Sequence, residues 1–106
     1  MTMTNYNEIK KLLDKEQITS EDFMIVYEWI TRKFRMIKEA LKSNENMGLM
    51  AWKIREDIDV VADVISELEV RRERLTQVVE KNIDDYLEAF KTKLEEVKEL
   101  WRDGLR

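Results

Sequence analysis

The chain of 106 residues has no cysteine, no histidine and no proline, and it contains only two glycines. Without cysteine it forms neither disulfides nor thiolate sites, and without histidine it lacks the commonest metal ligand and general base. We therefore expect no enzyme: no catalytic residues, no metal and no cofactor. No apolar run of about 18 residues predicts a membrane span, and residues 1–7 lack the apolar stretch of a signal peptide, so we expect no membrane association and a cytoplasmic protein.

Charged residues make up 40% of the chain and apolar residues 43%. With so little proline and glycine, this composition is typical of long helices with charged surfaces. The predicted fold class is all-α, a helical bundle or coiled-coil-like protein, with one helical domain over residues 1–106. Richness in Lys, Glu and Arg also resembles thermophile usage, although a charged coiled-coil surface needs the same residues.

Two N-terminal helices are predicted. Thr4 or Asn5 is placed to cap a short helix over residues 5–15. Thr19 or Ser20, followed by two acidic residues, starts a second helix over residues 20–42. That helix carries a stripe in steps of four and three residues, which confines it to an arc of about 80°: Phe23, Tyr27, Ile30, Phe34, Ile37 and Leu41. Polar residues 43–48 then predict an interruption.

From residue 49 to residue 102 nothing obvious stops a helix. Its apolar positions keep helical spacing throughout: Ile54, Ile58, Val61, Ile65, Leu68, Leu75, Val79, Ile83, Leu87, Phe90, Leu94, Val97 and Trp101. A continuous helix would be about 80 Å long, too long for this small chain to cover. The alternative is a break near residues 81–83, with Asn82 capping a helix that folds back, and a compact monomer would favour it. In either case the stripe needs a partner surface, and self-association as a dimer is the simplest source of one. Arg72 takes an apolar position on this stripe, where it would pair with a carboxylate or bind an anion.

The second helix has another apolar face, formed by Ile25, Trp29 and Met36 with Arg32 among them. One interpretation places this helix inside a bundle or dimer. The other makes these four residues a protein-binding surface, because exposed Trp and Met are common anchors of interfaces.

Basic residues are the candidates for nucleic-acid or anion contacts: Lys33, Arg35, Lys38, Arg71, Arg72 and Arg74. They either track phosphates or form a solvated surface. The overall net charge of −4 argues against nonspecific attraction to nucleic acid. On the long helix, Glu56, Asp59, Asp63 and Glu67 share one side, which is expected to be solvated.

Two functions follow from these patterns. The favoured one is a noncatalytic adaptor or small accessory subunit that binds a protein partner through the Trp29 face and self-associates, most simply as a homodimer. The alternative is a small nucleic-acid-associated regulator that uses the basic residues.

Overall fold

The computed structural model describes residues 5–42 and 47–104, and it confirms the all-α fold class as a compact helical bundle. Four α-helices follow one another: α1 (Tyr6–Leu13), α2 (Ser20–Lys42), α3 (Met47–Val70) and α4 (Gln77–Gly104). A short 3-10 helix, Arg72–Arg74, lies between α3 and α4. None of the helices in the described ranges is long and apolar enough to cross a membrane.

Side-chain caps determine where the first two helices begin. Asn5 Oδ1 accepts a hydrogen bond from the Glu8 amide at 2.9 Å, while Thr4 lies outside the described residues. At α2, Thr19 Oγ1 accepts from the Asp22 amide and Asp22 Oδ2 accepts from the Thr19 amide, both at 3.1 Å. This reciprocal capping satisfies amides that a helix start leaves without partners. α2 spans the same residues as the predicted second helix, whereas α1 ends at Leu13, two residues early. Of the predicted interruption over residues 43–48, residues 43–46 lie outside the described residues. α3 begins at Met47, two residues before the predicted start at residue 49.

The chain reverses at residues 71–76, so the prediction of one continuous helix over residues 49–102 is wrong. Leu75 is extended, with φ −76° and ψ 144°, and it pairs with Ile18 in an isolated parallel β-bridge. The Ile18 amide donates to the Arg74 carbonyl at 2.7 Å, and the Thr76 amide donates to the Ile18 carbonyl at 3.0 Å. The linker between α1 and α2 therefore holds the reversal by backbone hydrogen bonds.

The alternative prediction of a helix that folds back gave the correct topology, but it placed the reversal at the wrong residues. Asn82 lies inside α4, and its side-chain amide donates to the Val78 carbonyl at 3.1 Å. Arg72 is not on a helical seam either. It lies in the 3-10 helix, where it forms a bidentate pair with Asp84 at 2.5 and 3.0 Å. The spacing from Leu68 to Val79 concealed the reversal because the buried Leu75 keeps an apolar residue at the position that a continuous helix would require.

The apolar stripes of α2, α3 and α4 bury one another within a single chain. Lys91 with Glu69 and Trp101 with Ala51 show that α3 and α4 are antiparallel. Phe23 with Tyr86 and Tyr27 with Phe90, at 5.0 and 5.7 Å between ring centroids, show that α2 and α4 are parallel. Because the chain covers its own stripe, the physical reason for expecting a dimer is absent.

Candidate protein-binding surface

Trp29 is buried, which contradicts the prediction that it is an exposed anchor. Only 5% of the residue is exposed. The Tyr6 ring packs against it with centroids 6.2 Å apart, and the Lys33 ammonium lies 5.7 Å from its ring centre. The physical reason is α1, whose own apolar side chains are buried against the bundle and leave no free Trp29 face.

Charge pairs hold α1 against α3. Lys10 Nζ lies 3.1 Å from Asp63 and 3.8 Å from Glu67, and the Tyr6 hydroxyl donates to Asp63. Arg71 joins Glu67 to Asp14, just beyond the end of α1. The hydrogen bond from Tyr6 is the largest cause that lowers the pKa of Asp63, followed in the same direction by Lys10. The acidic side of α3 is therefore partly an internal docking surface rather than wholly solvated.

The other three predicted partner-binding residues remain accessible. Ile25 is 40% exposed, Met36 is 47% exposed, and Arg32 is exposed as well. The largest exposed apolar side chain is one that the sequence reasoning missed, Trp52 on α3, with 68% exposed. The sequence contains a signal for this exposure, because Trp52 lies about 200° around the helix from Ile54 and therefore opposite the core.

Met36 and Trp52 belong to the part of the bundle that α1 does not cover. The pair of Lys33 with Asp57, at 3.7 Å, marks where α2 faces α3. Met36 follows Lys33 by about one turn, and Trp52 precedes Asp57 by about one and a half turns. α1 begins on the other side of this pair, where Tyr6 contacts Asp63, a residue that follows Asp57 on α3.

Two smaller apolar residues share the helix faces of these exposed side chains. Ala40 follows Trp29 by eleven residues and Val60 precedes Asp63 by three, so each shares the helix face that α1 covers elsewhere. Both are partly buried against the core. We call this surface, formed by Met36, Ala40, Trp52 and Val60, the α2–α3 face.

Carboxylates neutralise most of the predicted nucleic-acid contacts. Ion pairs join Lys33 to Asp57, Lys38 to Glu96, Arg71 to Glu67 and Arg72 to Asp84. The Lys38 contact lowers the pKa of Glu96, and the Arg72 contact lowers that of Asp84.

Arg35 and Arg74 are exposed and form no ion pair with residues 5–42 or 47–104. They lie on separate elements, α2 and the 3-10 helix, and the predicted basic residues do not form one continuous track.

No group of three or more acidic residues in the described part of the chain is arranged to hold a metal ion. No family model, curated protein or solved structure matches this chain.

Proposed function

We propose that this chain is a noncatalytic interaction protein whose α2–α3 face binds an amphipathic helix of a protein partner. The observation that carries the proposal is the exposure of Trp52 and Met36 on the uncovered continuation of the surface where α1 docks. Tryptophan supplies large contact area with few rotatable bonds, and it is enriched among residues that dominate binding energy.

The docking of α1 supports a helix as the occupant of this surface. It is a short amphipathic helix that buries Ile9 and Leu13 and places Lys10 between two carboxylates of α3. Glu56 precedes Asp63 by seven residues, two helical turns, and lies on the same side of α3. A partner helix on the α2–α3 face would therefore place an apolar ridge against Met36 and Trp52 and a lysine or arginine near Glu56.

Site-specific photo-crosslinking in the source cells tests the proposal. A photoreactive amino acid at position 52 should trap a partner protein that the same group at Val78 does not trap. Val78 is the matched control because it is 66% exposed but lies at the start of α4. The absence of any product specific to position 52 would contradict the proposal.

A trapped partner then permits a quantitative measurement. Trp52→Ala should weaken binding of the purified partner by about 2 kcal/mol, a loss of roughly thirtyfold, as expected for a central aromatic anchor. Val78→Ala should leave the dissociation constant unchanged. If the product at position 52 is instead a second copy of this chain, the surface is a homodimer interface and the partner-helix proposal is wrong.

A further inference from the structure

Three cationic side chains from two helices line a small cleft on another side of the bundle, between α3 and the end of α4. The cleft has a volume of about 150 Å³. Arg55 comes from α3, and Lys98 and Arg102 come from α4. The single carboxylate in its lining is Asp59. Positive charge thus exceeds negative charge here by two, in a chain whose net charge is −4.

Arg55 is already oriented for a ligand. Its Nε donates to Asp59 Oδ1 at 3.2 Å, and its guanidinium carbon lies 5.2 Å from the centre of the Trp101 ring. A hydrogen bond fixes the orientation of the Trp101 ring, because its Nε1 donates to the Ala51 carbonyl at 3.0 Å. Within residues 5–42 and 47–104, the terminal nitrogens of Arg55 make no hydrogen bond. Four of its five N–H donors are therefore available in a fixed plane.

The C-terminal end of a helix attracts cations, which accounts for Arg102 in the last turn of α4 but not for Lys98 one turn earlier or for Arg55 on a different helix. Lys98 has only a long contact of 3.6 Å to Glu95, which does not line the cleft. The described part of the chain gives Arg102 no ion pair. Internal pairing therefore leaves much of the charge in this cleft uncompensated.

We propose that this cleft binds a phosphate dianion, either free or as the phosphomonoester of a small molecule. The net charge of +2 in the lining balances that of the dianion, and arginine N–H groups bind phosphate oxygens in bidentate geometry. The cleft also has an apolar wall, formed by Ile58, Ala62 and Trp101, that suits the carbon body of an ester. The lining of the cleft shares no residue with the α2–α3 face, and this proposal does not depend on the proposed function.

Titration with inorganic phosphate at constant ionic strength, followed by NMR of the indole N–H groups, tests the site. The chain has three tryptophans, and only Trp101 lines the cleft. Its signal should shift in a saturable way, while those of Trp29 and Trp52 should not. Phenyl phosphate provides the second arm: tighter binding than phosphate indicates a phosphomonoester, and equal binding indicates the free ion. Both results support binding of a phosphate group in the cleft.

Substitutions locate the binding. Arg55→Gln and Arg102→Gln should each weaken phosphate binding about tenfold, as expected for loss of a charge-assisted contact. Arg32→Gln on α2 is the control and should have no effect. Arg102 lies on the exposed last turn of α4, so its replacement keeps the test valid if Arg55→Gln disturbs folding. No shift of Trp101 up to about 20 mM phosphate, well above a millimolar dissociation constant, would overturn the proposal. Equal affinity of both variants and the wild type would overturn it too.

Discussion

Trp29 and Trp52 have opposite environments although both lie on amphipathic helices. Trp29 packs against Tyr6 of α1, whereas Trp52 is mostly exposed. Trp29→Ala should lower the free energy of unfolding by about 3 to 5 kcal/mol, because it removes a large buried side chain and leaves a cavity. Trp52→Ala should change it by less than about 0.5 kcal/mol. Urea denaturation of the two variants measures both values, and equal stabilities would contradict the burial of Trp29.

The ionisation of Asp22, at the start of α2, makes the stability of the fold depend on pH. Lys15 Nζ donates to its carboxylate at 2.7 Å, and this contact is the main cause that lowers its pKa below the usual 3.8. Because the pKa is lower in the folded state, the carboxylate contributes stability that is fully present above pH 3.8. That stability is lost as the pH falls through the folded pKa.

Asp22→Asn should therefore lower the free energy of unfolding by about 1.5 to 3 kcal/mol at neutral pH, the range for a hydrogen bond to a charged group. The difference from the wild type should shrink as the solution is acidified below pH 3.8. Urea denaturation curves of the variant and the wild type, at neutral pH and below pH 3.8, measure this difference. Glu21→Gln, an exposed change on the same turn, should have little effect at either pH. A difference for Asp22→Asn that does not depend on pH would refute the ionic role of Asp22.

The boundary between α3 and α4 can be located with proline. Gln77 is the first residue of α4, where the amide needs no helical partner and proline is well tolerated. Asn82 lies in the first half of the same helix, where proline removes a hydrogen bond and clashes with the preceding turn. Gln77→Pro should change stability by less than about 1 kcal/mol, and Asn82→Pro should cost about 3 kcal/mol or more. Thermal melting followed by circular dichroism compares the two, and the reverse order would place the helix start near Asn82.

The reversal at residues 71–76 illustrates what helical spacing alone can reveal. Thr76 immediately precedes α4, and threonine is a favoured residue before a helix, so a signal existed. It was outweighed by Leu75 and Val79, which continue the apolar stripe without a gap. Periodicity reports which residues share a face, whereas the backbone pairing of Leu75 with Ile18 joins segments 57 residues apart. No local pattern contains that contact.

Charge distribution over the whole molecule bears on the nucleic-acid alternative. Four of the six predicted basic contacts are in ion pairs, and the net charge is −4. We expect no binding to DNA or RNA at about 50 mM salt by fluorescence anisotropy. A signal at that concentration that falls steeply by about 200 mM salt would establish phosphate contacts and favour the regulator.

Particle mass tests how the apolar stripe is covered in solution. Since α2, α3 and α4 bury it together, the chain needs no second copy to form a core. Light scattering should report a mass near 12.8 kDa. A mass twice that value would show that an exposed surface, with Trp52 the foremost candidate, pairs two copies.

The sequence by itself determined that this protein is helical, where α2 lies, and which side chains are apolar on each helix, because these properties depend on local spacing and composition. It also identified Met36 and Ile25 as residues that remain accessible. Only the tertiary structure decided that α1 covers Trp29, that the chain reverses at residues 71–76, and that Arg55 meets Trp101 across two helices. These features depend on contacts between distant segments, and an amphipathic pattern states that a face must be covered without stating what covers it.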